Sequence, residues 1–417
     1  MANPSTQRSV RELLTRPLNA EAVAQLAVLN NRGARALAEE LNVAKANLAR
    51  ARHLPNPILQ GAIRFHSGDR PAIDLGALLS VTDLLLLAAR SGAAESGVEA
   101  AKLSAVGNVL DLSFQARRAF FEYQAALQTL ELRHNVADAF AASADAAQRL
   151  RDAGNTTELA VANERAVLAD ARVKLQRSQL AVAAARERLN VLMGLSGQNT
   201  RWNTEARLSE LPRAELDVKD LEAEAVRRSL DLEIAKQRFA AATKRATLSR
   251  AVGFIPEVRA GVSAERHEYW GVGPAVEVQV PLFYQGQGEV GVAQAERRQQ
   301  ENVFADTAVR LRAAARLAAA ELAAARDRVT YSRDVLIPLR QKVVDETQLQ
   351  YNAMLVGVFQ LLQAKREQIE TGVMYIDQLR EYWEARSHVE QLLAGRMADT
   401  AVGRASQADA GAPTPGE

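Results

Sequence analysis

The sequence predicts a mainly α-helical fold with a small β part, built from two copies of one structural plan. Three observations support this: long segments without Gly or Pro, short segments in which apolar and polar residues alternate, and motifs that recur in the same order in both halves of the chain. The chain of 417 residues contains only 5% aromatic residues. A composition dominated by Ala, Leu, Arg, Glu and Gln is typical of long helices that pack against one another.

The internal repeat sets the domain organisation. The segment 190–194 (NVLMG) returns at 391–395 (QLLAG), and Pro57 has a counterpart in Pro256. We therefore expect a first repeat (18–194), with a β-hairpin at about 56–84 and a helical hairpin at about 88–194. A second repeat (220–395) is expected to have a β-hairpin at about 254–283 and a helical hairpin at about 288–395. The remaining segments are an N-terminal extension (1–17), a linker or equatorial region (195–219) and a disordered C-terminal tail (396–417).

Each helical hairpin is predicted to consist of two long helices joined by a tight turn. Neither Gly nor Pro occurs between Gly107 and Gly154, so nothing interrupts the first long helix. A helix of about 65 residues would span roughly 100 Å. Turns are expected near 154–157, where Thr157 is placed to cap the next helix, and near 354–357. Pro338 is expected to kink the second hairpin.

The helix that follows Thr157 carries two apolar stripes with the seven-residue spacing of a supercoiled seam. The first consists of Val161, Leu168, Leu175, Val182 and Leu189. The second consists of Leu159, Ala166, Val173 and Leu180. Because two residues turn a helix by about 200°, the stripes lie on nearly opposite sides. This pattern fits a helix with neighbours on both flanks, as in a closed cylinder, and fits an antiparallel bundle with a wide apolar face equally well.

Segments 254–265 and 270–283 alternate between apolar and polar or small residues, which predicts two strands. About ten residues per strand match the length that a tilted strand needs to cross a bilayer, whereas the sequence has no apolar run of about 18 residues for a transmembrane helix. Aromatic residues near the strand ends resemble an interfacial girdle: Phe254, Tyr269, Trp270, Phe283 and Tyr284. A hairpin of a soluble sandwich is the alternative. Hairpins embedded in helices leave unpaired edges, so we expect association with other chains.

If the strands close into a membrane-spanning β-barrel with other chains, their polar face is predicted to line its lumen and to influence its ion preference, whereas in a soluble hairpin the same face would be solvated. Its residues are Glu257, Arg259, Glu277 and Gln279.

Charge and motifs exclude several classes of function. The 52 Lys and Arg residues balance 50 Asp and Glu without a basic block, so we expect no nucleic acid partner. No cysteine is present for thiolate chemistry. The five histidines lack metal-ligand spacing, and no catalytic set stands out, so we predict no catalysis, no metal and no cofactor. We interpret His66 and His267 as exposed residues of corresponding loops.

The first residues contain no apolar segment of a signal peptide. We expect that the signal belongs to a native N-terminus outside the given chain.

Several motifs in the second copy resemble the second repeat of the TolC family of outer-membrane efflux proteins. They are 256–261 (PEVRAG), 278–283 (VQVPLF), 285–288 (QGQG), 351–353 (YNA) with Gly357, and 361–364 (LLQA). The first copy matches through 54–57 (LPNP) and 116–121 (ARRAFF). The resemblance covers about 18–395, and it rests on the order and duplication of these motifs.

The resemblance implies a homotrimer in which four strands from each chain form a twelve-stranded transmembrane β-barrel, continued by a long antiparallel α-helical barrel. It implies an outer-membrane duct that extends into the periplasm and serves a tripartite efflux or type I secretion-like system. The implied partners are a periplasmic adaptor (membrane fusion) protein and an inner-membrane pump such as an RND transporter. The alternative is a soluble coiled-coil scaffold, which would have no need of duplicated alternating strands.

The resemblance also implies that the helix tips contact the adaptor and gate the periplasmic aperture. The matching residues are Arg151, Asp152, Glu158, Tyr351 and Gly357. Tyr351 stands where the family has a tyrosine that helps to hold the aperture closed. The family's basic partner a few residues later is replaced by Val356, and the charged residues of the first tip are candidates to substitute for it.

Overall fold

The computed structural model describes residues 4–65, 71–204, 207–266, 269–280 and 283–398. Within these ranges the predicted class, mainly helical with a small β part, is confirmed. The elements in chain order are α1 (Pro4–Leu14), α2 (Ala20–Asn30), α3 (Arg32–Arg52), β1 (Ile58–Arg64), β2 (Ala72–Ser80), α4 (Val81–Asp152), α5 (Glu158–Leu192), α6 (Leu221–Arg228), α7 (Leu230–Phe254), β3 (Glu257–Arg266), β4 (Trp270–Gln279), α8 (Gln287–Tyr331), α9 (Ile337–Asn352) and α10 (Val358–Leu393).

The chain divides into two compact units, and each unit draws on both halves of the sequence. The helical unit comprises Met1–Arg35, Asn108–Arg228 and Leu311–Glu417. The sheet unit comprises Ala36–Gly107 and Ser229–Arg310. The long helices α4 and α8 contribute residues to both units.

The helical unit contains two apolar cores. In one, α1 and α2 pack on α4 and α5 around Trp202, whose indole N–H donates to the buried Asn190 at 2.8 Å. In the other, α8 and α10 pack with α6 around Leu311 and Tyr382. The first apolar stripe of α5 faces inward, since Val161 and Leu189 are fully buried.

Helix α4 begins at Val81, seven residues before the expected start near Ala88, and β2 ends at Ser80 rather than near 84. Side-chain hydrogen bonds explain the earlier start. The hydroxyl of Ser80 accepts from the backbone N–H of Asp83 at 3.1 Å. The hydroxyl of Thr82 donates to the carbonyl of Pro256 and accepts from the N–H of Val258, each at 2.9 Å. The leucine-rich run at 84–87 is therefore helical.

Near Pro338, where a kink was expected, the helix contains a π-turn, Ser332–Leu336, on the N-terminal side of the proline. The N–H of Ile337 donates to the carbonyl of Ser332, five residues earlier. Proline lacks a backbone N–H and its ring clashes with the carbonyl four residues back, so the wider turn accommodates it.

Both ends of the described chain contact the helical unit, although disorder was expected from residue 396 onward. The N-terminal extension contains α1, which buries Val10 in the core of the helical unit. At the other end Arg396 donates to the carboxylate of Asp111, with an Nε–Oδ1 distance of 3.1 Å. This ion pair holds the first residues of the expected tail (396–398), and 399–417 lie outside the described residues.

In the described part of the chain, no helix combines the length and the apolar character that crossing a bilayer requires.

Candidate functional site

The four strands form one antiparallel sheet in the order β1-β2-β3-β4, which lies wholly in the sheet unit. The register pairs Ile63 with Ile73, Leu75 with Ala264, and Val262 with Pro274. Because strand side chains alternate between faces, this register places most apolar residues of the four strands on one face, whereas Ile58 and Leu78 lie on the opposite face. Several large side chains of the apolar face are exposed in the isolated chain, including Leu59, Ile63, Leu75, Val262, Val272 and Val276.

The opposite face carries a network of charged side chains. Arg259 donates to Glu257 at 2.7 Å and to Glu277 on the neighbouring strand at 2.8 Å. Gln60 of β1 donates to the same Glu277 at 3.4 Å, although β1 and β4 stand at opposite ends of the sheet. A side-chain contact between the two outermost strands means that the polar face is concave. The structure thus brings together the predicted polar residues Glu257, Arg259 and Glu277. The fourth, Gln279, lies directly opposite Glu257 in the register of β3 and β4.

Asp74 also belongs to this polar face, although it was not predicted from the sequence. Asp74 of β2 pairs with Arg64 of β1, and Arg64 also approaches Glu265 of β3 at 3.5 Å. The signal was present in the alternation, since Asp74 stands between Ile73 and Leu75.

Both outer strands of the sheet have an open edge. Within the described residues, β1 pairs only with β2 and β4 only with β3. Near the strand ends, Tyr269, Trp270, Phe283 and Tyr284 are exposed, whereas the side chain of Phe254 lies outside the described part.

The first helix tip, between α4 and α5, contains three of the predicted site residues. Gly154 adopts the left-handed conformation with φ of 76°, and the N–H of Asn155 donates to the carbonyl of Leu150 at 2.8 Å. This is the hydrogen-bonding pattern of a helix that ends in a Schellman motif. Arg151 pairs with Glu158 across the turn, with an Nε–Oε2 distance of 2.5 Å.

At the same tip, Asp152 accepts a hydrogen bond from Gln148 at 2.8 Å. The expected cap on α5 is confirmed, since the hydroxyl of Thr157 accepts from the N–H of Ala160 at 3.2 Å.

The second tip, between α9 and α10, has the same construction in the second half of the chain. The N–H of Leu355 donates to the carbonyl of Gln350 at 2.9 Å, and Met354 takes the place of Gly154 with φ of 60°. A non-glycine residue in this conformation is unusual. Gly357 precedes α10, and its N–H donates to the side chain of Gln360 at 2.5 Å.

Tyr351 lies on the last turn of α9 and is exposed. Among the described residues its hydroxyl has no hydrogen-bond partner, and Arg151 bonds to Glu158 instead. The single chain therefore does not join Tyr351 to the charged residues of the first tip.

Nothing in the described residues groups three or more His, Asp or Glu side chains in a way that could hold a metal ion. The loop histidines His66 and His267 lie outside the described residues.

No protein-family model matches the chain, and no curated protein matches it in sequence. Solved structures do match. A membrane protein from Pseudomonas aeruginosa has 18% identity and a TM-score of 0.75, over 93% of this chain and 91% of that one. The CmeC outer membrane channel of Campylobacter jejuni has 11% identity and a TM-score of 0.78, over 94% and 89%. The outer membrane protein VceC of Vibrio cholerae has 14% identity and a TM-score of 0.69, over 94% and 97%.

The chain therefore has the fold of a class of bacterial outer membrane channels. More narrowly, this is the TolC-type fold, so the fold implied by the sequence resemblance is confirmed.

Proposed function

We propose that this chain is the exit duct of a tripartite efflux or type I secretion-like system, located in the outer membrane and extending into the periplasm. Three copies form the channel, and substrates pass through it without chemical change. The observation that carries the proposal is the sheet, which has one continuous apolar face, one charged concave face and two open edges.

The sheet supports a membrane location because one of its faces is mainly apolar and the other is charged. Apolar residues of strands that span a bilayer face lipid and polar residues face an aqueous interior. Each strand has 7 to 10 residues, close to the 9–11 that a tilted strand needs.

The open edges support closure by other copies. An unpaired backbone N–H or carbonyl group costs several kcal/mol in lipid, so a spanning sheet has to close on itself. Four strands from each of three chains give the twelve-stranded barrel of the family that the sequence resembles. Arg259, Glu257, Glu277 and Gln279 then line the lumen.

The helix tips are proposed as the aperture and as the contact with a periplasmic adaptor protein, which joins the duct to an inner-membrane pump such as an RND transporter. The two tips share one backbone geometry but differ in chemistry. The first carries the Arg151–Glu158 ion pair and Asp152, and the second presents the exposed side chains of Met354 and Leu355. Tyr351 and Gly357 complete the proposed contact.

Fractionation of the native full-length protein tests the proposal, followed by gel mobility with and without heating and by conductance measurements in planar bilayers. We expect an outer-membrane trimer that dissociates on heating and that conducts ions. A monomer or dimer in the cytosol would instead support a soluble coiled-coil scaffold. A protein that reaches the outer membrane without conducting would retain the location and refute the duct.

A further inference from the structure

The second apolar stripe of α5 is exposed in the isolated chain. We name it the α5 stripe: Leu159, Ala166, Val173 and Leu180. The side chains of Leu159, Val173 and Leu180 are 71%, 48% and 71% exposed. On the other side of the same helix, Ala171 packs on Val136 and Phe140 of α4. The α5 stripe therefore faces away from the rest of its own chain, and a row of apolar residues at heptad spacing is a surface that another helix covers.

A second uncovered surface lies on α9 and the π-turn before it. We name it the α9 stripe: Val335, Leu339 and Leu349, which are 37%, 54% and 62% exposed. The opposite side of α9 faces α10, because Val344 is buried and Arg340 pairs with Glu367 at 2.5 Å. The helical unit thus carries one uncovered apolar stripe on α5 and another on α9.

Two positions of each stripe match in their distance from the tips. Leu159 follows Gly154 by as many positions as Leu349 precedes Met354. Val173 likewise follows Gly154 by as many positions as Val335 precedes Met354. Because α5 runs away from its tip and α9 runs toward its own, two such helices placed side by side are antiparallel.

Contacts within the unit place the two tips at similar levels. Arg133 and Glu370, which are hydrogen-bonded, differ by about five positions in their distance from the tips, a difference that two long side chains span. A second contact gives nearly equal distances. Arg118 of α4 donates to Gln391 of α10 at 2.7 Å. Arg118 precedes Gly154 by almost the same number of positions as Gln391 follows Met354. Equal distances along straight helices give nearly equal heights, since each residue adds about 1.5 Å.

We infer that the α5 stripe of one copy packs on the α9 stripe of the next copy, with Leu159 beside Leu349 and Val173 beside Val335. The inference rests on the proposed function and names the register of its helical interface. The occupant is a second copy because two different surfaces of the same chain match each other in position. Such a head-to-tail contact generates a ring when the rotation closes.

Charge supports the same register. Asp170 and Lys342 are exposed on the two helices between the matched apolar positions. Counted from the two tips, their positions differ by about four residues, which is about one helical turn. Side chains of this length span that difference, and the pair has opposite charges.

Engineered cysteines test the register directly, because the chain contains no cysteine of its own. The matched variant combines Val173→Cys with Val335→Cys in the full chain, which is oxidised in native membranes and examined on a non-reducing gel. A disulfide requires the two Cβ atoms to be about 3.5–4.5 Å apart, so a parallel sample receives a short bismaleimide linker. We expect covalent dimers and trimers, with no larger species because the ring closes at three.

The control variant combines Val173→Cys with Leu349→Cys, which displaces the second thiol along its helix by about 21 Å. It should stay at the monomer mass, as should each single-cysteine variant. A heat-dissociable trimer that forms no covalent species with the matched pair, or that links the displaced pair equally well, would overturn the register and leave the proposed duct intact. A chain that remains monomeric in the membrane would overturn both.

Discussion

Arg133 of α4 donates two hydrogen bonds to the carboxylate of Glu370 on α10, with N–O distances of 2.7 and 3.0 Å. Lys174 of α5 donates a third to the same carboxylate at 2.9 Å. One acidic side chain therefore joins three helices of the helical unit. The hydrogen bonds from Arg133 and then Lys174 outweigh the effect of partial burial and lower the pKa of Glu370 from 4.5 to about 2.

We predict that Glu370→Gln destabilises the protein at neutral pH. Hydrogen bonds to charged groups contribute about 1.5–3 kcal/mol, and the partial exposure of this carboxylate reduces the expected loss to about 1–2 kcal/mol. Thermal unfolding of the detergent-solubilised protein measures the effect. Asp138→Asn, an equal charge change at an exposed position of α4, is the control and should leave unfolding nearly unchanged.

The effect of Glu370→Gln should depend on pH. Because the folded-state pKa lies below 4.5, the carboxylate stabilises the fold above that pH, and its contribution is lost as the pH falls from 4.5 to about 2. The difference in unfolding temperature between the wild type and the variant should therefore shrink over this range. A difference that is constant across it would assign the loss to packing rather than to charge.

We predict that Gly261→Ala prevents the sheet from forming. A Cβ atom at this position would lie 1.8 Å from the carbonyl oxygen of Ala77, which is backbone on the neighbouring strand and cannot move aside. The expected cost exceeds about 2 kcal/mol. The measurement is the yield of folded, heat-modifiable protein. Gly273→Ala on β4 is the matched control, because a Cβ there has no neighbour within 4 Å.

We predict that Arg259→Gln makes the proposed channel more selective for cations. The substitution leaves Glu257 and Glu277 without the guanidinium that now bridges them, so the lumen gains net negative charge. Reversal potentials in a salt gradient measure the change. Glu277→Gln should shift the reversal potential in the opposite direction, and the absence of a shift in both variants would place these residues outside the conduction path.

We predict that Met354→Gly stabilises the second tip by up to about 1 kcal/mol, because glycine adopts the left-handed conformation without the penalty that a side chain incurs. The reciprocal change at the first tip, Gly154→Ala, should destabilise the protein by a similar amount. Thermal unfolding compares the two. If both substitutions stabilised the protein, the left-handed backbone conformation at these two positions could not explain the effect.

Much of the fold was predictable because its signals are local. The alternation of segments 254–265 and 270–283 predicted β3 and β4, since side chains of a strand point to opposite faces by turns. Thr157 was recognised as a helix cap from its place after a Gly-containing turn. The fold-level resemblance rested on the order of such motifs along both halves.

The predicted start of α4, near Ala88, was wrong for a physical reason. A short apolar run such as 84–87 fits a buried strand and a buried helix equally well. Hydrogen bonds from Ser80 and Thr82 decide for the helix, and the partners of Thr82 lie in the other half of the sequence.

By itself, the sequence determined the helices, the strand faces and the two tip turns, because these follow from the periodicities of helix, supercoil and strand and from single cap residues. The tertiary structure alone decided which charged residues meet. Arg133 and Glu370, or Arg64 and Asp74, are ordinary charged residues until folding brings them together. The reason is that an ion pair depends on a distance of a few ångströms between side chains, which no local periodicity specifies.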